Sequence, residues 1–319
     1  MTALSFGELL VDMVSPSPDA SLAETSTFVK APGGAPANVA VGLQRLGVPT
    51  RFVGQVGDDP FGHWLQETLA QEALDVRHLR LTPEARTTIA FVATRRDGKK
   101  DICFYRNPGA DAELRTADLQ PDVLDGVNLF HCGSVSLSLE PCRSTQFELA
   151  QRAKDAGILV SFDPNWRPSL WDDHEEGHRV IWAMMPLSDI VKVADEEWEL
   201  VTGTTDFAEG AAKIRAEGPK LVIMTRGADG ASYDAAGVHG DVPGYSVDAI
   251  STLGAGDAFV AGILAEVSLA PSLESLLNDV DLTRILRFAN ACGALATLQP
   301  GAIPALPTRA GVEEFLSRP

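Results

Sequence analysis

Short apolar strand candidates alternate with amphipathic helical patterns from end to end of the chain, and that alternation leaves few folds open. Leu129–Cys132, Ile158–Phe162, Ile190–Val193 and Leu221–Thr225 read as buried strands, apolar on both faces. A strand with two apolar faces needs cover on both, which helices supply when the strands lie in a parallel sheet. Phe61, Trp64, Leu65 and Leu69 recur at helical spacing, with Asp59 as the expected N-cap and Pro60 at the first helical position. Val39, Ala40, Leu43 and Leu46 predict a second helix, ended by Gly47. The pattern predicts an α/β fold.

Two stretches break the rhythm. Residues 10–31 hold Val11, Asp12 and Val14 and then a Ser/Pro-rich run that is neither helix nor core strand. Residues 86–107 read as two extended segments, Thr87–Thr94 and Ile102–Tyr105, around the polar turn Asp97-Gly98-Lys99-Lys100. Together they predict one small β flap over the main sheet. With 319 residues and no repeat or linker, the chain reads as a single domain over 1–319 with these flap segments inserted.

Charge excludes whole classes of partner. The formal net charge of −18 repels nucleic acid and anionic membrane, whose binding rests on clustered Lys and Arg. It also means that any phosphate site must be locally positive against the global sign. Cys103, Cys132, Cys142 and Cys292 are scattered without a C-x-x-C pair, as expected of buried thiols in a reducing compartment. No stretch of 18 apolar residues occurs, and the N-terminus runs straight into strand-like sequence without a basic leader. A soluble, cytoplasmic protein is expected.

Four segments carry chemistry. Gly33-Gly34-Ala35-Pro36-Ala37-Asn38 leads into a helix, and consecutive glycines let a backbone approach a ligand while Asn38 offers both a donor and an acceptor. A tight turn before a helix would use the same glycines. Gly254-Ala255-Gly256-Asp257 opens the helix carrying Phe259, Ile263 and Val267; unpaired amides at a helix start suit a developing phosphate charge. Asp257 at that lip is placed to take a proton from an attacking hydroxyl. A carboxylate resting on the helix dipole explains the Asp alone, but not the glycines. Thr225-Arg226-Gly227-Ala228-Asp229-Gly230 follows a buried strand without making a P-loop or a dinucleotide fingerprint. Asp163-Pro164-Asn165-Trp166-Arg167 follows another, where open α/β sheets place ligand groups. Arg167 and Arg106 are the fixed cations expected for phosphates, and Glu197 is a candidate for holding Mg²⁺ through water.

Gly33–Asn38 and Gly254–Asp257 resemble, in order, the two signature segments of the PfkB (ribokinase-like) carbohydrate kinases, a likeness that covers essentially the whole chain. It takes in Val56-Gly57-Asp58-Asp59-Pro60-Phe61-Gly62, Asp163-Pro164-Asn165 and the Thr225–Gly230 turn. Phe104-Tyr105-Arg106-Asn107-Pro108-Gly109-Ala110-Asp111, His131-Cys132-Gly133-Ser134 and Gly301–Thr308 are most similar to the fructokinases of that family. The resemblance implies a Rossmann-like, three-layer αβα ribokinase-type fold with a small β-sheet lid, commonly paired into a homodimer. It implies ATP and Mg²⁺, with Asp257 as base and Gly254, Ala255 and Gly256 forming an anion hole, Arg167 assisting. Asp12, Gly33, Gly34, Asn38, Arg106 and Asn165 would meet the sugar; Thr225, Gly227, Gly230 and Asn290 would lie along the nucleotide. The family usually carries an Asp-Thr pair shortly before Gly-Ala-Gly-Asp, where this chain has Ser251-Thr252-Leu253, so K⁺ activation is left open. Ala194 likewise stands where an Asn often precedes the metal-linked Glu. The activity expected is transfer of the ATP γ-phosphoryl group to the 6-hydroxyl of fructose. The alternatives are a 2-keto-3-deoxygluconate kinase, whose substrate carboxylate Arg106 and Arg167 would clamp, and a non-catalytic sugar-binding regulator.

Overall fold

The computed structural model describes residues 1–17, 20–95, 100–235 and 237–318. The chain begins with β1 (Thr2–Phe6), β2 (Leu10–Val14), β3 (Val29–Gly33), α1 (Ala35–Arg45), β4 (Thr50–Gly57) and α2 (Pro60–Gln71). It continues through β5 (Leu79–Thr82), β6 (Ile89–Thr94), β7 (Lys100–Tyr105), β8 (Val127–Gly133), α3 (Cys142–Asp155), β9 (Leu159–Asp163) and α4 (His174–Ala183). Then come β10 (Ile190–Ala194), α5 (Asp195–Thr202), α6 (Phe207–Ala216), β11 (Leu221–Thr225), β12 (Ala231–Ala235) and β13 (Val238–Val242). Helices α7 (Ala255–Val267), α8 (Asp279–Ala296) and α9 (Arg309–Ser317) close the chain.

The main sheet has the order β13-β12-β11-β10-β9-β8-β1-β4-β5. Its strands are parallel from β5 across to β11, and β12 and β13 add an antiparallel edge. Successive strand residues feed two separate cores. Ala3, Phe52, Ile190 and Leu221 join one, while Leu4, Val53, Val191 and Val222 join the other. The first core is closed by α1, α2, α7, α8 and α9, and the second by α3, α4, α5 and α6. That is the helix–sheet–helix layering expected of strands apolar on both faces. No described helix is long and apolar enough to cross a membrane.

A second, smaller sheet has the order β3-β2-β6-β7. Strands β2 and β6 are parallel at its centre, flanked by antiparallel partners. The sequence pattern missed β3 because it carries Ala31-Pro32-Gly33, poor strand formers. Proline, which has no N–H, is tolerated there because β3 is an edge. Strand β6 starts two residues later than expected. The Thr87 amide and hydroxyl bond Asp59 and the Thr88 hydroxyl bonds Asp111, while the Thr88 carbonyl already accepts from the Val11 amide of β2. Of the expected hairpin turn, Asp97, Gly98 and Lys99 lie outside the described residues, and Lys100 belongs to β7 rather than to the turn.

Asp59 caps α2 as expected, accepting from the amides of Phe61 and Gly62. It also takes the Thr87 amide, so one carboxylate ties the helix start to the approach to the small sheet. Gly47 follows α1 with φ +91°, the left-handed geometry of a helix end.

Candidate active site

Strand β1 lies between β4 and β8, so the chain leaves it first to one side and later to the other. Such a reversal opens a crevice at the carboxyl ends of the strands. The segments that follow β1, β9, β10 and β11 bring Asp12, Asn165, Arg167, Glu197 and Thr225 to this edge, where the start of α7 also lies.

Asp257 sits in the first turn of α7. Gly254 precedes the helix with φ +81° and supplies no capping side chain, so no side chain covers the first-turn amides; that of Ala255 makes a long, 3.4 Å bond to the Thr252 carbonyl. A Cβ on Gly254 would lie 2.8 Å from that of Ala302, which explains why a bare residue is needed. Asp257 is nearly buried and accepts a 2.7 Å bond from Asn38 Nδ2. Burial raises its carboxyl above the usual range; Asn38 opposes this, the negative charge of Asp163 adds to it, and Lys192 and Arg167 oppose it in turn. Among the described residues Asn38 Oδ1 is buried without a partner, an acceptor left over for a ligand hydroxyl.

Asn38 is set by the turn before α1. Gly34 has φ +107°, and a Cβ there would come within 2.3 Å of the Glu8 carbonyl oxygen. Glu8 Oε1 accepts from the amide of Ala35 at 3.0 Å, while burial pushes its carboxyl up to about 8. On the neighbouring strand, Asp12 leans across Gly33 so closely that a Cβ would lie 2.0 Å from Asp12 Oδ2. Burial, with the charge of Asp257 adding to it, pushes Asp12 up to about 7. Asn165 adopts φ +42°, and Arg167 is half-buried, its charge acting on both Asp12 and Asp257.

Other candidates are placed differently. Arg106 is buried, pairs with Asp111 at 2.7 Å and bonds Ser138 Oγ at 2.7 Å. Its charge is therefore balanced by Asp111, while its Nη2 is buried without a partner among the described residues. Asn290 donates to the carbonyls of Val242 and Pro243, and Gly230 packs against the same segment. Both shape the loop after β13, while Thr225 and Gly227 lie at the end of β11.

The sequence profile of the pfkB family carbohydrate kinases matches residues 2–309. The chain belongs to the pfkB family. It is a sugar kinase. It is 44% identical over 314 residues to the probable fructokinase-2 of Arabidopsis thaliana, covering 98% of this chain and 95% of that protein. Among solved structures it resembles the Xylella fastidiosa fructokinase with bound ATP, at a TM-score of 0.90 and 33% identity over 99% of this chain and 98% of that one. It also resembles the Vibrio cholerae fructokinase bound to fructose, ADP and a calcium ion, at a TM-score of 0.89 and 36% identity over 99% of each chain.

For this pfkB kinase the sequence reading missed Lys192. It lies in β10, buried, with Nζ 3.2 Å from Asp163 and 3.5 Å from where a Cβ on Gly256 would be. Burial works against its charge, but Asp163 and Glu197 outweigh it and hold the amine above its ordinary value. The signal was present: a lysine inside an otherwise apolar strand is rarely buried without a partner. Among the described residues, no group of three or more His, Cys, Asp or Glu forms a direct metal cage. A Mg²⁺ ion needs less, since it keeps several waters and takes only one or two carboxylates beside substrate phosphates. Asp163 and Glu197 fit that need. Burial, with the charge of Asp163 adding to it, raises the Glu197 carboxyl above its usual range, and its oxygens are oriented by the amides of Ala194 and Trp166. Ser251 Oγ accepts from the Leu253 amide at 3.3 Å.

Proposed function

We propose that this pfkB kinase is an ATP-dependent fructokinase that phosphorylates the 6-hydroxyl of fructose, with Asp257 as the base. The observation that carries the reading is the pairing of the Asp257 carboxylate with Asn38 at the mouth of the uncapped α7 N-terminus. A sugar hydroxyl resting there meets a proton acceptor on one side and the amides of a helix start on the other. Its oxygen bonds to the γ-phosphorus, the bond from that phosphorus to the bridging oxygen breaks, ADP leaves, and the hydroxyl proton passes to Asp257. Phosphoryl transfer asks for positioning and charge stabilisation rather than covalent help. The amides of Ala255 and Gly256 receive the developing charge, with Lys192 beneath Gly256 and Arg167 across the cleft. When bound, Mg²⁺ supplies charge neutralisation for the phosphates, and Glu197 and Asp163 are the residues that would hold it through water. Asp12, Asn38 and the bare backbone of Gly33 and Gly34 would receive the sugar. Closure of the small sheet over it would exclude water from the transfer.

Two further observations support fructose over a sugar acid. Arg106, one of the two arginines a substrate carboxylate would use, is already paired with Asp111. The related Vibrio cholerae enzyme was crystallised with fructose and ADP, and the Xylella fastidiosa enzyme with ATP. A coupled ADP-release assay with Mg-ATP against fructose, 2-keto-3-deoxygluconate, ribose and adenosine, each with K⁺ or Na⁺, tests the reading. Turnover confined to fructose is expected. Turnover with the sugar acid alone, or with none of the four, overturns it.

A further inference from the structure

Arg167 faces Lys192 across the phosphate site, and the carboxylates around the two outnumber them. Asp12, Asp163, Glu197 and Asp257 crowd this edge, Lys192 is already paired with Asp163, and Arg106 is paired with Asp111. A bound nucleotide adds more negative charge to the same crevice. One cation comes from another direction. Lys100 opens β7, opposite Thr94, at the end of the small sheet farthest from Tyr105. Its Nζ reaches across to the main body and donates to the backbone oxygen of Thr252 at 3.3 Å. Thr252 stands two residues before Gly254, where the anion hole begins. Burial and the charge of Arg167 work against this ammonium and lower its pKa, while the site carboxylates Asp257 and Asp12, with Glu196 of α5, attract it.

We infer that Lys100 binds the terminal phosphate of ATP and the phosphoryl group in transit, so that the small sheet supplies part of the phosphate site as well as covering the sugar. An ammonium has three donors, and the Thr252 carbonyl occupies one of them. The other two belong to a flexible four-carbon stem, which lets the head swing between the carbonyl and a phosphate oxygen without moving β7. A phosphate oxygen is the stronger acceptor because it is ionised. The contact therefore favours the small sheet in its closed position when ATP, rather than ADP, is bound. The inference rests on the kinase reading for its need of ATP, but not on which sugar accepts the phosphate.

The test compares wild type, Lys100→Met and Lys100→Arg by isothermal titration with Mg-ATP and with Mg-ADP, both without sugar, and by turnover on whichever sugar the wild type accepts. Loss of one donor to a transition-state phosphate costs about 10²-fold in kcat by general experience. Lys100→Met should fall by about that much, bind ATP at least several-fold more weakly and bind ADP as the wild type does. Lys100→Arg should recover most of both losses, since it returns a cation to the same reach. Equal weakening for ATP and ADP, or unchanged turnover in Lys100→Met, would show a pin between the small sheet and the 251–254 segment and overturn the inference. The ATP titration needs no acceptor, so a wild type inactive on fructose refutes the sugar assignment while leaving this result readable.

Discussion

Asp257 gathers its properties from residues far away in the chain. Asn38 bonds it from α1, 219 positions earlier, while burial and Asp163 work to keep it protonated. A base of this kind must be ionised to act, so its raised pKa places an acid limb on the rate. Replacing Asp257 with Ala should lower kcat by about 10²–10⁴-fold, the usual cost of losing a general base. Fructose affinity, read by equilibrium titration, should be largely kept. Asp12 lies near enough for the two carboxylates to feel one another, and its own pKa stands at about 7. The Asp257 charge helps hold the proton on Asp12, so Asp12 is still neutral while Asp257 ionises, and Asp12→Asn removes no charge from it. A kcat/KM profile for the sugar between pH 5 and 9 should keep the acid limb in place, on a lower plateau. A limb that moves in Asp12→Asn would mean that Asp12, not Asp257, sets it.

The decisive junctions between elements are made by single side chains with more than one bond. Asp59 holds the amides of Phe61 and Gly62 at the start of α2 and both the amide and the hydroxyl of Thr87 before β6. Burial opposes its charge, yet these bonds outweigh that and keep it below the usual carboxylate range. Loss of a cap alone costs about 0.5–2 kcal/mol. Asp59→Ala should reach at least the upper part of that range in urea unfolding, because the Thr87 groups lose their acceptor as well. It should also raise the KM for sugar, since Thr87 leads into the strand that pairs with β2 and its Asp12. A second tie lies on the edge of the same sheet, where Lys30 of β3 sits 3.7 Å over the ring of Trp64 in α2.

Over the whole molecule, the buried carboxylic acids give stability an uncommon pH slope. Glu8 is pushed up to about 8 and Asp12 to about 7, both by burial above all. An acid with a raised folded pKa holds its proton better when folded, so unfolding releases protons and stability falls as pH rises through the window. The buried His131, pushed down to about 4 by burial, acts the other way, but only below the ordinary histidine value. Between pH 6.5 and 8 the acids therefore dominate. Each group titrating there contributes a slope on the order of 1 kcal/mol per pH unit. Urea unfolding of the wild type should show stability falling over that range. Glu8→Gln, which keeps the acceptor for the Ala35 amide but carries no proton, should flatten the fall. An equal slope in both proteins would mean that Glu8 does not titrate in that window.

The amino-acid pattern alone determined the layering of the main sheet, the capped start of α2 at Asp59, and the two glycine turns at Gly33-Gly34 and Gly254–Gly256. These follow from local sterics and periodicity. An apolar strand such as Leu221–Thr225 must be covered on both faces wherever it ends up, and a glycine permits a backbone path that no other residue allows. Tertiary structure decided which side chains meet and which charges survive. Lys192 became a site residue only because β9 and β10 lie side by side and bring Asp163 to it. Burial set Arg106 against Ser138 as well as Asp111, and Lys100 changed from a turn residue to a strand residue facing Thr252. Strand β3, weak by propensity, exists because β2 offers it an edge. Each of these outcomes depends on strand order and burial, which arise from the packing of the whole chain. No short stretch of sequence contains them.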